Sequence, residues 1–271
     1  MPGISLSDLT AGVRGAYEAG AASWREGPEA VYRRLADALV AECPVPLGGT
    51  RVLDLGSGTG VASDAVRAAG ASAIGVDLAW AMLRQRVSER PPGTVGNALA
   101  LPFPDGSFAA VVAAFCINHF PQPVDALVEC ARVIAPGGCI VASSFSSAHE
   151  HPAKSAVEAV LAAHGYTRPE WYARFKDVAV DATGTVAALG DAARDAGFSA
   201  VGAYALEVEA GLDEPEAMVG WRLAMPHTIG FVEALSPDER AALRADAFAA
   251  VGTIDPPSTI TMLVLRARIE R

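Results

Sequence analysis

The feature that most constrains this chain is the run Leu53-Asp54-Leu55-Gly56-Ser57-Gly58-Thr59-Gly60. An apolar strand, Arg51 to Leu55, breaks into three alternate glycines, and Val61–Ala69 then shows helical periodicity closed by Gly70. Glycines at such a turn let the backbone bend sharply and let a ligand approach without meeting a Cβ. The helix that follows aims its N-terminal N–H groups at the same place. Dinucleotide-binding turns use the spacing Gly-x-Gly-x-x-Gly, whereas here the third glycine arrives one position early, which disfavours a nicotinamide dehydrogenase.

Strand and helix patterns alternate on both sides of this turn. A helix over Ala30–Ala41 precedes it. After it come a strand ending at Asp77, a helix over Trp80–Ser88 stopped by Pro91-Pro92-Gly93, and a short strand centred on Val95. A buried strand spans Phe108–Phe115. A helix carrying Val124, Leu127, Val128, Ala131 and Ile134 is ended by Pro136-Gly137-Gly138, and a fifth strand runs Cys139–Phe145. This alternation predicts an α/β fold with a mostly parallel sheet. From Ser146 it fails. The chain reads as one domain over 1–271: N-terminal helices over 1–48, a core over 49–145, and helical insertions at 146–181 and 211–251 that form a lid over a substrate. A helix over Thr185–Ala196 and strands at Val201–Val208 and Thr259–Ile269 complete the sheet.

Asp77 ends the second strand about 20 residues past the glycine turn, where a carboxylate can accept both hydroxyls of a ribose. The alternative is an aspartate capping the next helix. With the glycine turn in front of it, the pair points to a nucleoside ligand.

Composition narrows the partners. The chain is 51% hydrophobic, enough for a sizeable core, and its net charge of −10 with no lysine/arginine cluster disfavours nucleic acid. Cys43, Cys116, Cys130 and Cys139 fit no metal-ligand spacing; three of them sit in apolar runs and read as small hydrophobes in a reducing compartment. The first residues lack the pattern of a secretory signal, and the longest apolar run, Phe108 to Ile117, is far below the roughly 20 residues that span a bilayer. The expectation is a soluble, cytoplasmic protein that contacts neither membrane nor nucleic acid, with a homodimer as the expected form of any assembly.

A third signal selects the nucleoside. The segment Gly96-Asn97-Ala98-Leu99-Ala100-Leu101-Pro102-Phe103-Pro104-Asp105-Gly106-Ser107-Phe108 leads into the fourth strand. Phe115-Cys116-Ile117-Asn118-His119-Phe120 follows it, and Arg132-Val133-Ile134-Ala135-Pro136-Gly137-Gly138 closes the next helix. Over about residues 30–145 this ordered set resembles the class I, Rossmann-like S-adenosylmethionine (SAM)-dependent methyltransferases. The resemblance is strongest to the ubiquinone/menaquinone-biosynthesis-like and natural-product branches. It implies a doubly wound sheet of seven strands with an antiparallel last strand and SAM across the carboxyl edge, S-adenosylhomocysteine being the product.

By that resemblance Gly56, Ser57, Gly58 and Gly60 border the methionine and ribose, Asp54 holds the ammonium, and Asp77 holds the ribose hydroxyls. Leu78 and Met82 lie beside the adenine, Asn97 and Ala98 at its edge, and Phe115 and Cys116 beside the methionine. Tyr17 matches a tyrosine that closes over SAM from an N-terminal helix. Two positions depart from the family pattern: Asn97 stands where an acid is frequent, and Ala109 replaces a frequent aspartate.

Methyl transfer from a sulfonium asks mainly for positioning, and for a base only where the nucleophile must lose a proton. His119, just past the fourth strand, is the candidate base; its alternative role is to brace the Asn118–Phe120 turn. His149 and His151 flank Glu150 but lack further ligands by spacing, so no metal is expected. Trp171 and Tyr172 in the first insertion, with Trp221, Arg222 and His227 in the second, are candidates for the wall of a small-molecule acceptor site. The reading is transfer of a methyl group to a small organic acceptor, in natural-product biosynthesis. The alternative is a SAM-binding fold without methyl transfer, either a cyclase-like catalyst or a regulatory module.

Overall fold

The computed structural model describes residues 6–148, 151–255 and 259–270. Three helices come first: α1 (Leu6–Ala19), α2 (Ala21–Glu26) and α3 (Pro28–Ala41). The core follows as β1 (Arg51–Leu55), α4 (Val61–Ala68), β2 (Ser72–Asp77), α5 (Trp80–Arg84), β3 (Gly93–Val95), β4 (Phe108–Ala113), a 3₁₀ turn at Ile117–His119, α6 (Pro123–Val133) and β5 (Ile134–Phe145). Next come α7 (Pro152–Ala163), α8 (Glu170–Thr183), α9 (Val186–Asp195) and β6 (Ser199–Glu209). The chain continues as α10 (Pro215–Leu223), α11 (Pro226–Ala234), α12 (Pro237–Val251) and β7 (Thr259–Arg268).

Proline sets many of these boundaries. Pro28, Pro123, Pro152, Pro215, Pro226 and Pro237 all sit in the first turn of a helix, where the missing N–H has no intrahelical partner to lose. Ser236 and Glu239 add a reciprocal capping box to α12.

The strands form one seven-stranded sheet in the order β3-β2-β1-β4-β5-β7-β6. Neighbours from β3 to β5 pair in parallel, and β7 runs antiparallel to both β5 and β6. This is the Rossmann-like, doubly wound α/β fold. Side chains along each strand alternate between two cores. Val52, Val112 and Val141 join α1–α4, α7 and α10–α12 on one face. Leu53, Val111 and Ile140 join α6 and α9 on the other. Reversal of strand order beside β1 opens a crevice between β1 and β4 at their carboxyl ends, where ligands of such sheets bind.

Two boundaries differ from the sequence reading. The helix expected to reach Ser88 stops at Arg84, because Gln85 is extended and Arg86 has φ +53°. That turn places the Arg86 guanidinium 2.8 Å from Asp64, a tertiary pairing that local periodicity does not reveal. Pro136-Gly137-Gly138 lies within β5, because α6 already ends at Val133. Gly137 N–H donates to Ile269 and Gly138 C=O accepts from it, so the glycines extend the ladder toward the end of the chain.

Candidate active site

The glycine turn takes its shape from what crowds it. Gly56 has φ +66°, and a Cβ there would come within 2.5 Å of Cys116 Sγ. Gly58 has φ +48°; its N–H donates to Asp77 Oδ2 at 2.7 Å, and its carbonyl accepts from the buried Arg90 guanidinium. Arg90 also donates to Ser57 Oγ at 2.9 Å. One arginine beneath the turn therefore holds two successive residues of it by its planar fork. Nothing in the local sequence around Arg90 announces this role.

A cavity of about 190 Å³ lies above the turn. Of the residues expected around SAM, Tyr17, Asp54, Gly56, Ser57, Gly58, Asp77, Leu78, Met82, Asn97, Ala98, Phe115 and Cys116 all line it. Gly60 does not. It caps α4 in a left-handed conformation (φ +92°), and a Cβ there would meet Arg90 and not the cavity. Helix α1 supplies Thr10, Val13 and Arg14 besides Tyr17, a stripe with helical spacing that the sequence displays without saying what it covers. Glu18, one residue on, accepts the N–H groups of Trp80 and Ala81 at 2.7 and 2.8 Å, tying α1 to the start of α5.

Asp54 is the clearest chemical signal in this cavity. Its carboxylate is buried, and Oδ2 accepts from Ser63 Oγ at 2.6 Å while Oδ1 has no partner. Burial pushes its pKa up to about 6, against the Ser63 hydrogen bond and the charge of Arg90. Asp54 lines the cavity, and a buried acceptor without a donor is a costly group that a ligand's donor would satisfy.

Asp77 accepts from Gly58 N–H on one oxygen and from Ala79 N–H at 2.8 Å on the other. Asp77 thus closes the turn that precedes α5, whose first N–H groups go to Glu18, and it lines the cavity. Burial raises its pKa. Asn97 Oδ1 accepts from Leu99 N–H at 3.0 Å, so its turn is self-supported.

A second cavity of about 140 Å³ adjoins the first, and Val13, Tyr17, Tyr32, Phe115 and His119 line both. Phe115 stands at this boundary with φ +52°, a strained conformation for a non-glycine residue, held by its N–H to Ser143 Oγ at 3.1 Å and by the Phe145 ring at 4.3 Å. Tyr17 Oη lies 3.1 Å from His119 Nε2, and the imidazole stacks on Phe175. Burial lowers the His119 pKa and raises that of Tyr17, so both are neutral near pH 7.

Trp171, Tyr172 and His227 line the second cavity as expected, Tyr172 and His227 stacking face to face at 3.9 Å. Trp221 and Arg222 line neither cavity. They are buried on the inner side of α10, Trp221 near Phe145 and Arg222 donating to Glu158 at 3.1 Å. The structure also brings in Tyr32, Phe145, Phe175 and Lys176, which the sequence reading missed. His149 and Glu150 lie outside the described residues. His151 caps α7 by accepting from Ala153 N–H, and no metal-binding group of histidine, cysteine and carboxylate residues occurs among the described residues. No described helix is long and apolar enough to cross a membrane.

Residues 53–142 match a methyltransferase domain family. That stretch, Leu53 to Ala142, holds the glycine turn, Asp54 and Asp77, and it is what the chain shares with the methyltransferase domain. A demethylmenaquinone methyltransferase of Renibacterium salmoninarum is 38% identical over 117 residues, 42% of this chain and 48% of that protein. The chain thus matches about half the length of its curated relatives. Among solved structures, phosphoethanolamine N-methyltransferase 2 of Haemonchus contortus, in complex with S-adenosylhomocysteine, shares the fold with a TM-score of 0.57. It is 17% identical, over 88% of this chain and 52% of that one. The 4+2 cyclase SpnF shares it with a TM-score of 0.53 at 20% identity, over 88% and 80% of the two chains. The donorless Asp54 oxygen and the glycines of the turn fit the ammonium and the nucleoside of SAM.

Asp77→Ala is expected to weaken SAM at least tenfold, because charge-assisted hydrogen bonds contribute ~1.5–3 kcal/mol each. Its melting temperature should also fall, since the variant leaves Gly58 and Ala79 N–H groups without their carboxylate. Calorimetric titration alongside thermal melting checks both effects; full SAM affinity in the variant would remove this strand edge from the binding site.

Proposed function

We propose that the chain transfers the methyl group of SAM to a small organic acceptor held in the second cavity. One observation carries this reading: the cavity above the glycine turn, with the donorless Asp54 carboxylate, adjoins an aromatic cavity across Tyr17, Phe115 and His119. SAM, when bound, supplies a methyl already activated on a sulfonium. What the chain contributes is alignment. Asp54 would hold the ammonium, Asp77 the ribose hydroxyls, and the strained Phe115 the passage between the cavities, with orientation worth on the order of 7–11 kcal/mol of barrier at best. His119, at the same boundary and neutral near pH 7, would accept the proton of an acceptor hydroxyl or amine. Helices α7, α8, α10 and α11 would serve as the lid. A role in natural-product biosynthesis fits a chamber walled by aromatic side chains of the insertions.

The test is incubation with methyl-labelled SAM and a panel of small acceptors, followed by product analysis. Label in an acceptor with S-adenosylhomocysteine released is the expected result. Tight SAM binding with no label transferred to any acceptor favours the cyclase-like or regulatory alternative. Binding itself should depend on pH. The Asp54 carboxyl titrates at about 6 without ligand, and a cationic ammonium needs it ionised. SAM affinity should therefore hold above pH 6 and fall about tenfold per unit below it, with one proton released on binding. Asp54→Asn should bind more weakly at pH 7.5 and show no such slope between pH 6 and 5.

A further inference from the structure

Resting on the reading of the second cavity as the acceptor site, we propose that this chamber selects a flat aromatic molecule bearing an anionic group, which pairs with Lys176. The shape argument comes from the rings. Tyr172 and His227 are parallel within 3° at 3.9 Å, Tyr172 stacks on Phe175 at 6.0 Å, and Phe175 stacks on His119 at 5.6 Å. Such a wall favours a planar partner, because offset stacking of rings contributes beyond the area buried.

The charge argument is independent of the rings. Among the described residues no carboxylate lines this chamber, and Lys176 does. Among the described residues no hydrogen bond or ion pair engages the Lys176 ammonium. Lys154, Arg168 and Arg222 act with Lys176 on His227, and Glu158 lies 3.1 Å from Arg222 and 4.0 Å from Lys154. Burial and then these four cations push the His227 pKa down to about 2. The chain as a whole carries −10, yet its only two lysines, Lys154 and Lys176, both act here. A positive chamber on an acidic protein attracts an anion and opposes a cationic amine.

Three matched probes test the proposal on the full chain, with and without saturating S-adenosylhomocysteine: 6-hydroxy-2-naphthoate, its uncharged carboxamide, and the corresponding naphthylmethylamine. The naphthoate is expected to bind at least tenfold more tightly than the amide, and the amine most weakly. Lys176→Met should remove the preference for naphthoate over amide, Lys176→Arg should restore it, and affinity for S-adenosylhomocysteine should stay unchanged in both. Equal binding of the three probes, binding of none, or a preference that survives Lys176→Met would overturn the proposal. Failure of the acceptor-site reading looks different: the naphthoate would then compete with S-adenosylhomocysteine for one cavity, or the protein would not bind S-adenosylhomocysteine at all.

Discussion

Gly58→Val is expected to lower SAM affinity at least ~10²-fold, about 2.8 kcal/mol, while the protein still folds. The backbone at this position has φ +48°, where a side chain costs ~1–2 kcal/mol. The immediate surroundings would forgive the Cβ itself, which would meet only the flexible Met82 Cε at 3.2 Å. The cavity would not forgive the branched methyls, since Gly58 lines it between Ser57 and Thr59. Gly58→Ala should fall between wild type and valine. Thermal melting and a SAM titration on the two variants check this. Normal binding by the valine variant would mean that the turn is a packing device.

His119→Ala is expected to lower turnover by roughly 10²–10⁴, the usual contribution of a general base, and to leave SAM affinity within about threefold. The imidazole sits where the two cavities meet, 3.1 Å from the Tyr17 hydroxyl, and burial depresses its pKa. A depressed pKa keeps it unprotonated at neutral pH, so activity should hold as pH falls toward 6.5 and decline only below that. In the variant, rate should recover as pH rises toward the acceptor's own pKa, because hydroxide then removes the same proton. A histidine that only braces the Ile117–His119 turn gives the opposite pattern: melting temperature and SAM affinity fall together, and turnover of the bound complex is little changed.

How far the sequence reached depends on the range of the interaction. The glycine turn, Asp54 and Asp77 are close in sequence, and the backbone periods of strand and helix alone carry them to one sheet edge. Twelve of the thirteen expected cofactor residues line one cavity for that reason. Gly60 stands outside that lining as the left-handed cap of α4, a position that asks for the same residue type as a ligand cradle. Arg90 and Glu18 were missed because their partners lie 32 and 62 residues away, and Lys176 because no described residue pairs with it. Trp221 and Arg222 show the reverse error. An aromatic and a cation in an insertion suggested a wall, but α10 turns both inward, where Arg222 is compensated by Glu158. Which face of a lone helix packs inward depends on neighbours that the local pattern does not name.

The central claim, that the crevice above Gly56–Gly58 is a SAM site, is tested most directly by calorimetric titration of the full chain with SAM, S-adenosylhomocysteine and NAD at pH 7.5. The account predicts one molecule of SAM or S-adenosylhomocysteine bound per chain, lost in Gly58→Val, and no heat with NAD. Binding of NAD in place of SAM, or SAM binding undiminished by Gly58→Val, would contradict it.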